Sequence, residues 1–361
     1  MRKRLLMFGT ILLFGLIACS NTKDAESKGG AGDEEGDIGG ELIIFNWSEY
    51  MPDEIISGFE EEFGVDIVYT TFSSNQEMLA KIRSGTVAYD LAVPSDHYVQ
   101  VLQEEGLLNE INFDNIPNFK NIADEWKNLN FDPDNKYSVT YMYGFDGIFY
   151  NKSKIDEPPT SWGDLWNSKY KGHVVVMEAA DEISDMLQQY LGNDMNDPTV
   201  EQIEAGGEKF KELVPNILMF SETPVAELVS GEVWIGYGYS GEAGVAYLEN
   251  KDIDFVMPKE GGIRWTDNMV IPSTAKNQAT AEAFINYLLR PEVSKLLSEE
   301  FPYGNPNTAV LELLDEEHAK IPGISLPPEQ IENSEWSAVL DPERTQAVNR
   351  VIQEAKVAGG Q

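Results

Sequence analysis

Trp47, Ser48, Glu49 and Tyr50 follow one another directly after an apolar run, so a large ring, a hydroxyl and a carboxylate share one short segment. Two more segments carry the same mixture, Pro94-Ser95-Asp96-His97-Tyr98 and Glu178-Ala179-Ala180-Asp181-Glu182. None of the three contains a lysine or arginine; a fourth, Arg264-Trp265-Thr266-Asp267-Asn268, has one arginine. Rings beside acids suit an alkyl ammonium. A desolvated ring face attracts such a cation by about 0.5–2 kcal/mol. A carboxylate ~4 Å away adds roughly 4 kcal/mol at an effective dielectric near 20. Taking the ammonium out of water offsets much of this, so several anions and acceptors should surround each nitrogen. The candidate rings are Trp47, Tyr50, Tyr98, Tyr239, Trp265 and Tyr303, and the candidate acids Glu49, Glu178, Glu182 and Asp267. Taken singly, a ring defaults to core packing and an acid to a solvated surface position. Their grouping on a few segments is what argues for a site. Glu178 and Glu182 are four apart; if a helix begins there, both lie on one face near the positive end of its dipole. Sugars also stack on rings, but they need no surplus of acids.

The elements that would position these residues read as α/β. Leu42–Phe45 is an apolar run of strand length, and Pro52 opens a helical pattern with Ile55, Ile56, Phe59 and Phe63 on one face, stopped by Gly64. Val65–Thr70 is a second strand. Ser74 and Glu77 have capping-box spacing, and Met78, Leu79 and Ile82 continue a helical face to Gly85. Leu91–Val93 is a third strand. This β-α-β-α-β order implies a parallel sheet with right-handed crossovers. Further strands are expected at Ile148–Tyr150, Val174–Met177, Val233–Tyr237, Phe255–Met257 and Met269–Ile271. Helices are expected around Ile183–Tyr190 and over Ala279–Leu289. Ligands of parallel α/β sheets bind beyond the carboxyl ends of the strands, where the first three ring-and-acid segments fall as loops. The segment Arg264–Asn268 is expected as a loop as well.

The chain has 361 residues, of which 42% are hydrophobic and 11% aromatic, enough for about two packed domains. Acids outnumber bases 62 to 26, for a formal charge of −36. A nucleic-acid partner is excluded on that balance, because phosphate binding needs a basic patch. An anionic field favours cations instead. There is one cysteine, Cys19, so neither an internal disulfide nor a cysteine-based zinc site can form. His97, His173 and His318 are scattered without metal-ligand spacing. No metal and no cofactor is called for.

Arg2, Lys3 and Arg4 precede an apolar stretch from Leu5 to Ala18 that reads as a secretory signal, residues 1–18. Its removal takes away three bases and no acids, which moves the charge from −36 to −39. Residues 19–40 read as a flexible linker. Six of the twelve residues Gly29–Gly40 are glycine, interspersed with Asp33, Glu34, Glu35 and Asp37.

Gly236-Tyr237-Gly238-Tyr239-Ser240-Gly241 matches a dinucleotide fingerprint, with Glu260 further on. It is not in the first β-α-β unit, and an exported protein is remote from the NAD pool. The stretch reads instead as a tight turn that presents Tyr239 and Ser240. It fails as a nucleophile elbow because Glu242 takes the final glycine position. Thr160–Trp166 has helix-start chemistry, and Trp162 and Trp166 read as core. His97 is a candidate for the cleft.

These segments together resemble the spermidine/putrescine-binding proteins of bacterial polyamine ABC transporters, over about Glu41 to Ser337. The resemblance rests on Phe45-Asn46-Trp47-Ser48-Glu49-Tyr50, Tyr89–Ser95, Phe131-Asp132-Pro133, Tyr137-Ser138-Val139 and Ser161–Trp166. It continues with Ser240-Gly241-Glu242-Ala243, Trp265–Pro272 and Pro302–Asn307. Leu16-Ile17-Ala18-Cys19 likewise resembles a lipobox, which implies lipidation of Cys19 and a lipid-anchored, extracytoplasmic protein.

The resemblance implies a two-lobe, type II periplasmic binding protein-like fold. Each lobe is a mixed, mostly parallel sheet flanked by helices, and the ligand cleft lies between the lobes. The lobes are expected as 41–144 with 266–311 and 145–265 with 312–361, crossing near Gly144, Trp265 and Leu311. Position by position, the implied ligand contacts are Trp47, Ser48, Glu49, Tyr50, Ser95, Glu182, Trp265, Asp267 and Tyr303. The departures are His97 where the family often has Tyr, Tyr239 where many members have Trp, and Ser337 where some have Gln. Ala179 stands where some members have Asp, just after Glu178. That lost carboxylate fits a diamine preference, or Glu178 as its substitute. The expected partners are a polyamine, a membrane permease and, through Cys19, a lipid bilayer, with the protein a monomer and no enzyme. The alternatives are a binding protein of the same fold for a sugar or ferric iron, and a secreted glycoside hydrolase using paired carboxylates.

Overall fold

The computed structural model describes residues 38–48, 50–324 and 326–360. The opening order is β1 (Gly40–Trp47), α1 (Asp53–Phe63), β2 (Val65–Phe72), α2 (Asn75–Ser84), β3 (Leu91–Ala92) and α3 (Asp96–Glu104). β1 lies parallel to β2 along its whole length and parallel to β3 on its other side, as the alternation of strands and helices requires. The punctuation is local. Gly64 and Gly85 end α1 and α2 in the left-handed region, at φ 65° and 59°. The Ser74 hydroxyl accepts from the Glu77 amide at 3.2 Å, while the Ser73 amide donates to the Glu77 carboxylate.

The second half contains β4 (Ser138–Asn151), β5 (Val174–Val176), α4 (Ala180–Leu191), α5 (Val200–Leu213), β6 (Ile217–Phe220) and α6 (Val225–Ser230). β7 (Ile235–Tyr239), α7 (Ser240–Glu249), β8 (Ile253–Val256) and β9 (Ile263–Val270) follow. The chain ends with α8 (Gln278–Leu288), α9 (Pro291–Glu300), α10 (Pro328–Glu332), β10 (Glu335–Trp336) and α11 (Pro342–Ala358). The strands form a mixed sheet in the order β2-β1-β3-β9-β4-β7-β5-β6, with β10 on β9 and β8 on β4. β4 and β9 are antiparallel and join the two ends of that order.

Three expectations are corrected. Arg264–Asn268 is not a loop but lies within β9, paired with β4 from Ile263 opposite Asp146 to Val270 opposite Ser138. Its alternation of polar and aromatic residues reflects a strand with one side on a cavity. The strand expected at Ile148–Tyr150 is the end of the fourteen-residue β4. The segments Pro94–Tyr98 and Glu178–Glu182, expected as loops, run into α3 from Asp96 and into α4 from Ala180.

The buried apolar side chains fall into four clusters. Leu42, Ile44, Phe59, Val139, Met142, Met269 and Phe284 share one, and Phe45, Phe72, Met78 and Val270 a second. Ile148, Trp162, Val174, Met186, Phe210, Ile263 and Val351 form a third, and Phe145, Phe149, Val175 and Phe255 a fourth. Along β4 the core changes between Met142 and Phe145, and along β9 between Ile263 and Met269. The candidate site lies at this seam. Among the described residues no helix is long and apolar enough to cross a membrane.

Candidate functional site

A cavity of about 930 Å³ opens at the seam. Of the residues singled out in the sequence, Trp47, Ser48, Tyr50, Ser95, His97, Tyr98, Glu182, Tyr239, Trp265, Asp267, Tyr303 and Ser337 all line it. Glu49 and Cys19 lie outside the described residues. Glu178 is exposed and does not line the cavity. The reason is the helix start: α4 begins at Ala180 with Ala179 as its N-cap, so Glu178 precedes the helix and does not share the face of Glu182.

Asp267 anchors one end. β9 carries it, and a bridge from Ser95, the N-cap of α3, holds the neighbouring loop against it. The Ser95 hydroxyl donates to Asp267 Oδ1 at 2.8 Å and the Tyr50 hydroxyl to Oδ2 at 2.8 Å. The Asn75 amide donates in turn to Ser95 Oγ at 3.0 Å. Burial pushes the Asp267 carboxyl up to about 7 even though both hydroxyls favour its charged form.

A row of rings leads away from this end. The Tyr50 and Tyr303 centroids are 5.8 Å apart, Tyr303 and Trp265 5.5 Å, and Trp265 and Tyr239 5.9 Å, each pair steeply inclined. Two rings rest on glycine. Gly144 pairs with Trp265 across β4 and β9, and a Cβ there would come within 2.3 Å of the indole. A Cβ on Gly241 would come within 2.1 Å of the Tyr303 ring.

The far end is a group of acids. Glu182, in the first turn of α4, accepts from the Tyr239 hydroxyl through Oε1 at 2.8 Å. Asp146 accepts from the Trp265 indole N–H at 2.7 Å. Glu222, on the segment after β6, accepts through Oε1 from the amides of Glu178 at 2.8 Å and Ala179 at 3.2 Å. The Oε2 atoms of Glu182 and Glu222 are both buried and have no hydrogen-bond partner among the described residues. Burial, then the mutual repulsion of these carboxylates, pushes Glu182 well above the usual range. Burial does the same to Asp146, against the pull of the indole hydrogen bond. Burial raises Glu222 too, opposed by its two amide hydrogen bonds and by the nearby Tyr239 hydroxyl.

A third group sits beside them. The Ser337 hydroxyl donates to Asp185 Oδ2 at 2.7 Å, and burial raises Asp185 to about 7. His97 Nδ1 lies 2.9 Å from Asp96 Oδ1. Burial alone would lower the imidazole, but Asp96, Asp181 and Asp185 leave it raised. Asp146, Asp185 and Glu222 were not singled out from the sequence. Asp146 is hidden inside the apolar strand β4, and Asp185 sits among the helical residues of α4. Glu222 looks like part of an ordinary polar turn, Ser221-Glu222-Thr223.

Among the described residues no lysine or arginine lines the cavity, and no group of acids, histidines or cysteines is arranged to hold a metal ion. Buried carboxylates that repel one another are stabilised by a cation carrying N–H donors. Rings between them cover an apolar stem. The arrangement fits an elongated guest with positive charge at both ends.

The profile of the bacterial extracellular solute-binding protein family matches residues 54–324. The spermidine/putrescine-binding periplasmic protein of Escherichia coli K12 is 39% identical over 298 residues, covering 82% of this chain and 86% of that protein. The putrescine-binding periplasmic protein PotF of the same organism is 31% identical over 308 residues, covering 79% and 83%. Among solved structures, the spermidine/putrescine ABC transporter substrate-binding protein PotD of Streptococcus pneumoniae superposes with a TM-score of 0.78 at 34% identity. The match covers 88% of this chain and 99% of that one.

Proposed function

The chain belongs to the bacterial extracellular solute-binding protein family, and on that premise we propose that it captures a polyamine, spermidine or putrescine, and delivers it to the permease of an ABC importer. It is a binding protein, not an enzyme. The observation that carries the reading is the row of rings joining Asp267 to Glu182. One ammonium sits at Asp267 and another at Glu182, while Trp265, Tyr303 and Tyr239 cover the alkyl stem. Each buried methylene contributes about 0.8 kcal/mol, and each ring facing an ammonium about 0.5–2 kcal/mol. Trp47, Ser48, Ser95, His97, Tyr98 and Ser337 complete the walls, and the likeness to polyamine-binding proteins makes Glu49 a further ligand contact.

The lobes are 41–144 with 266–311 and 145–265 with 312–361. The parting of the core clusters within β4 and β9 supports that division. Lobe closure around the amine presents the form that the permease recognises. Cys19 carries the lipid that keeps the protein at the membrane surface.

A thermal-shift panel of putrescine, spermidine, spermine, glucose and maltose tests the reading. A polyamine raises the melting temperature with concentration, as mass action requires, by the equivalent of about 2.7 kcal/mol at a hundred times Kd. Stabilisation by the sugars, or by none of the five, overturns it.

A further inference from the structure

We infer that Glu222 is a specificity-determining residue of this cavity, supplying the third negative charge that makes a triamine of the spermidine class the better ligand than a diamine. The inference rests on the polyamine reading and concerns which polyamine. A diamine brings two positive charges, which Asp267 and Glu182 already meet. A further buried carboxylate would then face no cation, and an uncompensated buried charge is costly. Glu222 is such a carboxylate. Its Oε1 is tied to the amides of Glu178 and Ala179, just before α4, an environment that favours the charged form. Its Oε2 is buried beside the cavity without a partner, as is Oε2 of Glu182, so two bare acceptors wait at one end. Asp267 differs, because each of its oxygens already accepts one hydroxyl. The third neighbour, Asp146, already has the Trp265 indole N–H on its Oδ1, and Asp185 has the Ser337 hydroxyl on its Oδ2. Glu222 offers a second nitrogen near Glu182 both a charge and a bare oxygen.

Glu222→Gln tests this, because the amide keeps an oxygen for the two backbone N–H groups while losing the charge. By calorimetry on the full chain, its Kd for spermidine rises at least tenfold and its Kd for putrescine changes less than threefold. Glu222→Ala shows the same spermidine loss, and the ligand-free melting temperatures of both variants record any damage to the start of α4. Wild-type spermidine affinity in Glu222→Gln, or an equal loss for both amines, overturns the inference and leaves Glu222 as a brace for α4. A wild-type protein that binds no polyamine overturns the functional reading as well.

Discussion

The two ends of the cavity solve the burial of a carboxylate in different ways. Asp267 is enclosed and has a partner on each oxygen, Ser95 on one and Tyr50 on the other. Glu182 and Glu222 are enclosed and half served, each with one oxygen paired and one bare. A bare buried acceptor forfeits about 1–3 kcal/mol of hydration that nothing in the protein returns. The first end is thus organised before a guest arrives, and the second is organised by the guest. Selectivity should reside at the end that is incomplete, and rigidity at the other.

The largest effect expected is on binding when both ends are neutralised. Asp267→Asn and Glu182→Gln each weaken polyamine binding by tenfold or more, about 1.4 kcal/mol apiece. The two carboxylates share no hydrogen-bond partner, so the double variant should lose about a hundredfold or more. Calorimetry reads all three. Wild-type affinity in both single variants would dissolve the contrast, because neither end would then be holding the amine.

Next comes pH. With Asp267 and Asp185 raised to about 7, the empty cavity holds protons that a polycation must displace. Affinity should rise severalfold between pH 6 and pH 8, with proton release visible as a dependence of the binding heat on buffer. Stability of the ligand-free protein should run the other way. A carboxyl raised above its unfolded value near 4 contributes stability that is complete below that value and lost as pH rises through about 7. The melting temperature of the empty protein therefore falls from pH 5 to pH 8, and saturating spermidine flattens the slope. A flat profile without ligand would contradict the placement of these acids.

The smallest effect separates the ends without any ligand. At pH 8, Glu182→Gln relieves repulsion from Glu222 and Asp146 and should raise the melting temperature, by the equivalent of about 1 kcal/mol. Asp267→Asn disturbs two hydroxyl partners and should lower it by a similar amount. Shifts of the same sign would show that the two environments are alike.

Much of the architecture was legible because its signals are local. The Ser74 cap, the stops at Gly64 and Gly85, and the alternation of strand and helix through Val93 need only neighbours in sequence. The rings and Asp267 could be picked out by type and grouping, and the seam gathers them. What stayed hidden depends on distant packing. Arg264–Asn268 reads as polar loop because nothing in the segment announces β4 alongside it. Glu178 reads as a partner of Glu182 only if the helix starts at 178; the actual start two residues later leaves its carboxylate outside. Glu222 is recruited by amides more than forty positions earlier in the chain. Asp146, between Phe145 and Gly147 in an otherwise apolar strand, gives no sign that an indole will claim it.

The glycines at 144 and 241 bear on anyone hoping to turn this chain into a sensor for another amine. Libraries that vary only the visible walls would treat both positions as silent, since neither offers a side chain to exchange. Yet a single methyl at either place would lift the indole or the phenol from its seat. The floor would tilt, and a library of new walls would be screened on a platform that had already moved.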